Sequence, residues 1–164
     1  MATADNLFME IDGIKGSVSD DKYSGWVSID NINNALNSTA KINNGSGQLH
    51  IDGINFESVS FSKQMDAVST DLVSMVAQGS NIKKIVVAMN VKTNDIDNEM
   101  ARWTYEKCIL TSYHVGARSA EDIPYETLSF VFSSFKFETQ MIEPGGKTKK
   151  YGPVGWDLLT NTKL

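Results

Sequence analysis

The stretch ETLSFVFSSFKFET, residues 126–139, limits the fold more than any other part of the chain. Leu128, Phe130 and Phe132 stand at even positions, after which Phe135 and Phe137 stand at odd ones. Neighbouring side chains of a strand point to opposite faces, so alternation this regular gives an extended chain one apolar face and would scatter it around a helix. The parity change adds a second condition, a bulge near Ser133 and Ser134 that re-aims the side chains toward one core. The same switch separates Ile54 and Phe56 from Val59 and Phe61. Long bent strands of this kind turn the corners of a closed or nearly closed barrel.

Further strands are expected at 6–12, 25–36, 48–62, 84–91, 103–113 and 154–159, separated by segments rich in Gly, Asn, Asp and Ser. In WTYEKCILTSY (103–113), Trp103, Tyr105, Ile109 and Tyr113 share one parity. One segment departs from the pattern. Ser69 and Thr70 offer a cap, Asp71 an acid in the first turn, Leu72, Met75 and Val76 an apolar stripe, and Gly79 a stop. The expectation is a mainly β fold, a compact β-barrel of two packed antiparallel sheets with one short flanking α-helix at about 69–78, its Leu72 and Val76 against the barrel wall. Residues 37–47, NSTAKINNGSG, read as a polar loop too long for a tight hairpin.

A chain of 164 residues is most simply one domain, 1–164, able to build a sizeable core without metal or disulfide. The net charge of -5 opposes nucleic-acid binding, which needs clustered Lys and Arg, and Lys147, Lys149 and Lys150 are the one basic group. No run approaches the roughly 20 apolar residues of a membrane span. The single cysteine, Cys108, cannot form an intrachain disulfide or a thiolate zinc site. MATADNLFME has neither a basic n-region nor a continuous apolar stretch, so export by a conventional signal peptide is not expected.

Catalytic patterns are scarce. His50 and His114 have no second His or Cys at metal-ligand spacing, and there is no G-x-S-x-G or H-E-x-x-H motif. Asp20, Asp21, Asp95, Asp97, Glu99, Glu121 and Asp122 stand in turn-like contexts as solvated carboxylates. The tetrapeptide Ile-Asp-Gly-Ile occurs at 11–14 and again at 51–54. Gly13 and Gly16 are too close, and Lys15 on the wrong side, for a phosphate loop; IDGIKGSVSDDK lacks the oxygen ladder of a calcium loop. The first copy therefore reads as a turn after the first strand, and the second as a strand that Gly53 allows to bend.

Five segments in order, MEIDGIKGSVSDDKYSGWVSI (9–29), VSFSKQMDAVSTDLVSMVAQGSNIKKIVV (59–87), CILTSYHVGA (108–117), ETLSFVFSSFKFE (126–138) and GPVGWDLLTN (152–161), resemble the haemolysin-coregulated protein (Hcp) family of the type VI secretion system. Two departures are Tyr23, where many members carry histidine, and the asparagine-rich 31–44 region. The resemblance implies a non-enzymatic tube protein without cofactors: a homo-hexameric ring that stacks into an inner tube, inside a contractile sheath and under a spike protein. It also implies that small effector proteins are held in the ring lumen, and that the protein is made in the bacterial cytoplasm and secreted without a cleaved signal peptide. The family's closing GWDLLTN (155–161) is followed only by Thr162, Lys163 and Leu164, so no C-terminal effector extension is expected.

Asn31 and Asn33, on one parity and free of apolar bulk, are the candidate lumen residues. Asn37, Ser38, Thr39, Ala40, Lys41, Ile42, Asn43, Asn44 and Gly45 are the candidate inter-subunit or inter-ring loop. The competing functions are a monomeric β-barrel ligand carrier with an apolar cavity, or a small hydrolase using His50 or His114.

Overall fold

The computed structural model describes residues 6–93, 96–120 and 122–164; Met1–Asp5, Asn94, Asp95 and Glu121 lie outside the described residues. The elements in order are β1 (Leu7–Ile11), β2 (Val27–Ser28), β3 (Asn31–Asn33), β4 (Leu36–Ile42), β5 (Leu49–Phe56), β6 (Val59–Gln64), α1 (Ser69–Gln78), β7 (Asn81–Thr93), β8 (Ile96–Gly116), β9 (Tyr125–Val131), β10 (Ser134–Ile142), β11 (Thr148–Asp157) and β12 (Thr162–Lys163).

One layer runs β12-β11-β10-β8-β7-β1-β2, and β3, β6 and β9 form a second layer joined to β8. β8 serves both: Ala101–Glu106 pair with β10, whereas Ile109–Gly116 pair with β9. The layers also meet between β2 and β3, where the Ile29 and Asp30 N–H groups donate to the Leu7 and Ser62 carbonyls at 3.2 and 2.8 Å. The expected barrel of packed antiparallel sheets with one flanking helix is thus present, and a separate two-stranded sheet, β4-β5, stands off it.

The corner is turned differently from the expectation. Ile109 faces Val131 on one side of the break and Glu106 faces Ser134 on the other, so no residue is inserted near Ser133. The strands bend instead. Lys107 takes a φ of 53°, and the Ser133 N–H donates to the Glu106 carbonyl at 3.0 Å. The bend re-aims β8: Tyr105 is buried before it, Cys108 and Leu110 after it, and Ile109, expected inside with Tyr105, is only half-buried. A register shift between Leu110 and Ser112 then returns Tyr113 to the core side.

Between the layers Met9, Phe61, Tyr105, Leu128 and Phe130 are 1% exposed or less, so the interior is filled by side chains. This packing opposes the carrier reading, which needs an apolar cavity there. A second cluster of Phe8, Tyr23, Trp26, Val86 and Ala88 lies on the other face of β1 and β7, under the 12–26 segment. Gly13, φ 87°, makes the turn that the first Ile-Asp-Gly-Ile predicts. At Gly16 a Cβ would stand 2.2 Å from the Trp26 carbonyl oxygen, so only glycine lets the segment lie this close.

α1 spans the expected residues, with Leu72 buried, Met75 and Val76 against the core, and Gly79 closing it at φ 62°. Its start differs: no side chain caps it, because Ser69 Oγ accepts the Asp66 N–H at 2.9 Å and is turned into the barrel. The expected strand 25–36 is broken at Ile29–Asp30 and Asn34–Ala35, and 48–62 is divided at Glu57–Ser58 between two sheets. Glu99 is not a turn residue. It lies in β8 and accepts the Tyr23 hydroxyl at 2.8 Å and the Arg102 guanidinium at 3.2 Å. Asp97 also lies in β8, bonded to Asn90.

Candidate functional site: an unpartnered ribbon and a polar sheet face

The stretch expected as a loop is an antiparallel ribbon. Asn37, Ser38, Thr39, Ala40, Lys41 and Ile42 belong to β4, paired with β5; Asn43, Asn44 and Gly45 open the turn, closed where the Asn43 N–H donates to the Gln48 carbonyl at 2.8 Å. The strand escaped sequence reading because NSTAK is polar throughout and alternation is the signal that reveals strands.

Residues directly opposite in an antiparallel pair point to the same side. The pairs Leu36–Phe56, Ser38–Ile54, Ala40–Ile51 and Ile42–Leu49 therefore share one face, and Asn37–Asn55 and Lys41–His50 share the other. Ile51 and Ile54 have opposite parities, yet both reach the apolar face because the register shifts between Thr39 and Ala40, leaving Asp52 as the extra residue. Lys41 binds the Asp52 carboxylate at 2.9 Å on the polar side. The second Ile-Asp-Gly-Ile is thus a bulge that keeps the ribbon amphipathic, and Gly53 lies in the bend, as expected. Phe56 touches Phe135 at the base of the ribbon, but beyond it the face is open, Leu49 being 72% exposed and Ile54 47%.

Asn31 and Asn33 are exposed on β3. Register carries their face across the second layer: Asn33–Ser60–Ser129–Ser112 and Asn31–Ser62–Thr127–His114 are rows of opposed residues. The face is built of amides, hydroxyls and one imidazole. The serines and threonine were overlooked in the sequence, although VSFSKQ and ETLSFV show them alternating with the core residues.

Charge is hidden beneath that face. Lys63 (1% exposed) and Glu126 (0%) meet at 2.9 Å inside the barrel. Lys63 Nζ also reaches Asp66 Oδ1 at 2.7 Å, and the Tyr113 hydroxyl donates to Glu126 Oε1 at 2.8 Å. Burial raises the Glu126 pKa, but Lys63, Ser69 and Tyr113 outweigh it and hold the carboxyl below its ordinary value. Burial, then the bond to Glu126, pushes the Tyr113 hydroxyl up to about 12. The Cys108 thiol is also pushed up to about 12, chiefly by burial, which leaves it unreactive near neutral pH.

His50 and His114 are both exposed, on β5 and β8, and belong to different sheets. Among the described residues no group of three or more His, Cys, Asp or Glu is placed to hold a metal ion. No helix of the described residues is long and apolar enough to cross a membrane.

A filled barrel carrying an uncovered apolar ribbon and a polar outer face defines a building block whose surfaces, not its interior, are equipped for work. The same fold occurs in a solved type six secretion system protein (24% identity, TM-score 0.89, covering 98% of this chain and 100% of that one). Hcp1 from Salmonella typhimurium (21%, TM-score 0.70, 97% and 98%) and the secreted protein Hcp3 from Pseudomonas aeruginosa (11%, TM-score 0.58, 90% and 97%) share it as well. Residues 8–138 match the family described as "Type VI secretion system effector, Hcp", and the chain belongs to that family. Membership assigns it a tube or effector role in type VI secretion. No curated protein matches the chain.

Proposed function

We propose that this chain is the ring-forming subunit of a type VI secretion inner tube, six copies closing head to tail and the rings stacking inside a contractile sheath beneath a spike. The observation that carries this reading is the ribbon: five aliphatic side chains presented with Ala40 and Ser38 on one face, while Asn37, Asn55, Lys41 and His50 lie on the other. Contiguous exposed apolar patches are scarce on soluble monomers, where the largest is about 300–600 Å² and often functional. A head-to-tail contact closes a ring when its rotation divides the circle, and axial stacking repeats without closure. The Asn31–Asn33 face lines the lumen, where uncharged polar groups hold small effector proteins without committing to one. The particle leaves through the type VI system itself, without a cleaved signal peptide. No step calls for a catalytic group.

Solution mass and electron microscopy test this. The expected result is a ring of about six subunits; a monomer at micromolar concentration overturns the reading. Deleting residues 38–46, which removes most of β4 and the turn, is expected to abolish tubes and leave the barrel folded.

A further inference from the structure

An Asn or Asp followed by Gly can react with its own backbone, because the glycine nitrogen, unhindered by a Cβ, can reach the side-chain carbonyl before it. The chain holds three such pairs, Asp12–Gly13, Asn44–Gly45 and Asp52–Gly53. Structure separates them. Asp12 and Gly13 are the middle of a closed turn, the Ile14 N–H donating to the Ile11 carbonyl at 3.0 Å and the Asp12 N–H to the Lys84 carbonyl at 3.1 Å. Asp52 is held by Lys41 at 2.9 Å, and Gly53 is paired with Thr39 in the ladder. Both also present an ionised carboxylate, which repels an attacking nitrogen and has no good leaving group. Asn44 is different on each count. It lies in the turn between β4 and β5, it is exposed, and its neutral side-chain amide makes no hydrogen bond among the described residues. Around Gly45 only the Asn43 side chain is near.

We infer that Asn44–Gly45, at the tip of the ribbon, is a self-modifying site, and that Asn43 holds its reaction back. The Gly45 nitrogen bonds to Asn44 Cγ, and the side-chain nitrogen leaves as ammonia with the proton that Gly45 gives up. Water then opens the cyclic imide at either carbonyl, giving aspartate or isoaspartate, and nothing is oxidised or reduced. The control lies in one bond: the Gly45 N–H donates to Asn43 Oδ1 at 2.9 Å, so the attacking nitrogen must first be released from its neighbour. Either product adds a negative charge at the tip. Isoaspartate also adds an atom to the main chain, inside a turn closed by the Asn43 N–H on the Gln48 carbonyl at 2.8 Å and the Gly47 N–H on the Asn43 carbonyl at 2.7 Å. Those two bonds fix where β4 and β5 begin to pair, so their loss loosens the end of the ribbon that carries Ile42 and Leu49. On the ring reading, a modified chain therefore enters rings less readily, and the reaction records how long a subunit has waited unassembled.

Ageing the full-length protein at mildly alkaline pH tests this. Peptides spanning residues 12, 44 and 52 are fragmented in the mass spectrometer to locate the change, and isoaspartate is read with an isoaspartyl methyltransferase and a labelled methyl donor. Conversion at Asn44, with Asp12 and Asp52 unchanged, is expected. Gly45→Ala should slow it by about tenfold, a barrier rise of about 1.4 kcal/mol, because a Cβ restricts the backbone that has to fold back. Asn43→Ala frees the Gly45 N–H and should speed it. An Asn44 that survives ageing intact, or isoaspartate mainly at 12 or 52, overturns the site; an Asn43→Ala rate no faster than wild type overturns the role of Asn43. Modified chains should collect in the unassembled fraction of an aged stock, and an equal share in rings and free chains overturns the effect on assembly while leaving the site standing. A fresh wild-type protein of monomer mass removes the ring reading and leaves the chemistry at Asn44 to be judged by the peptides alone.

Discussion

The barrel and the ribbon are both antiparallel β-structure with one apolar and one polar face, and they dispose of the apolar face in opposite ways. In the β3-β6-β9 layer Phe61, Leu128 and Phe130 are covered by the rest of the chain. In the ribbon Leu36, Ile42, Leu49 and Ile51 face solvent. The barrel also takes charge inside and neutralises it, Lys63 against Glu126, whereas the ribbon keeps Lys41 and Asp52 half-exposed. Alternation alone therefore identifies a face that wants cover and leaves open whether the cover comes from the same chain or another.

The contrast is broken most severely from the barrel side. Lys63→Met leaves Glu126 buried without its counter-charge, and loss of one partner of a buried pair costs about 3–5 kcal/mol. A large fall in the urea midpoint is expected, with ring assembly lost as a consequence of unfolding.

From the ribbon side the effects separate. Ile51→Asp puts a charge in the middle of the apolar face, where burial against a partner would leave it unpaired. Ring formation should fall by roughly tenfold or more, equivalent to at least about 1.4 kcal/mol, while the urea midpoint of the barrel stays unchanged. A lowered midpoint would show that the ribbon belongs to the folding unit after all.

Asn33→Trp tests the polar face. Ring mass should be retained while co-purified effector protein falls by about an order of magnitude, the scale of one well-placed contact. Undiminished retention would place the lumen on another surface.

The smallest effects are those of pH, and they should reside in the barrel alone. Glu126 has a depressed pKa, so its stabilisation is present above its ordinary value of 4.5 and is lost as pH falls through the lowered one. Tyr113 is raised from 10.0 to about 12, so its share is complete below 10 and is lost as pH rises toward 12. Urea midpoints measured across pH should show a smaller alkaline component in Tyr113→Phe, the raised Cys108, Tyr23 and Tyr105 keeping the remainder, and should keep both components in Ile51→Asp.

Much of this was legible. The helix at 69–78, its Leu72 and Val76 contacts and the turn at Gly13 follow from local periodicity and glycine, whereas each parity switch marks the end of one strand and the start of another, β5 to β6 and β9 to β10, not a bulge within one strand. The β4 strand was not, since nothing in NSTAK alternates, and Ser69 was misread as a cap because its hydroxyl is claimed by Asp66 and Lys63. Glu99 misled for the same reason: a carboxylate in a polar stretch looks solvated until a distant Tyr23 is folded against it.

Taken alone, the order of residues settled the class of fold, the places where the chain bends and the absence of a local catalytic or metal-binding motif, because these depend on patterns within a few residues. Tertiary structure decided which surfaces remain for use. Only pairing partners show that the second Ile-Asp-Gly-Ile holds four pairs on one ribbon face, or that Asn33, Ser60, Ser129 and Ser112 form a single row. Faces are shared between strands far apart in sequence, and the burial of one by another is a property of the whole fold.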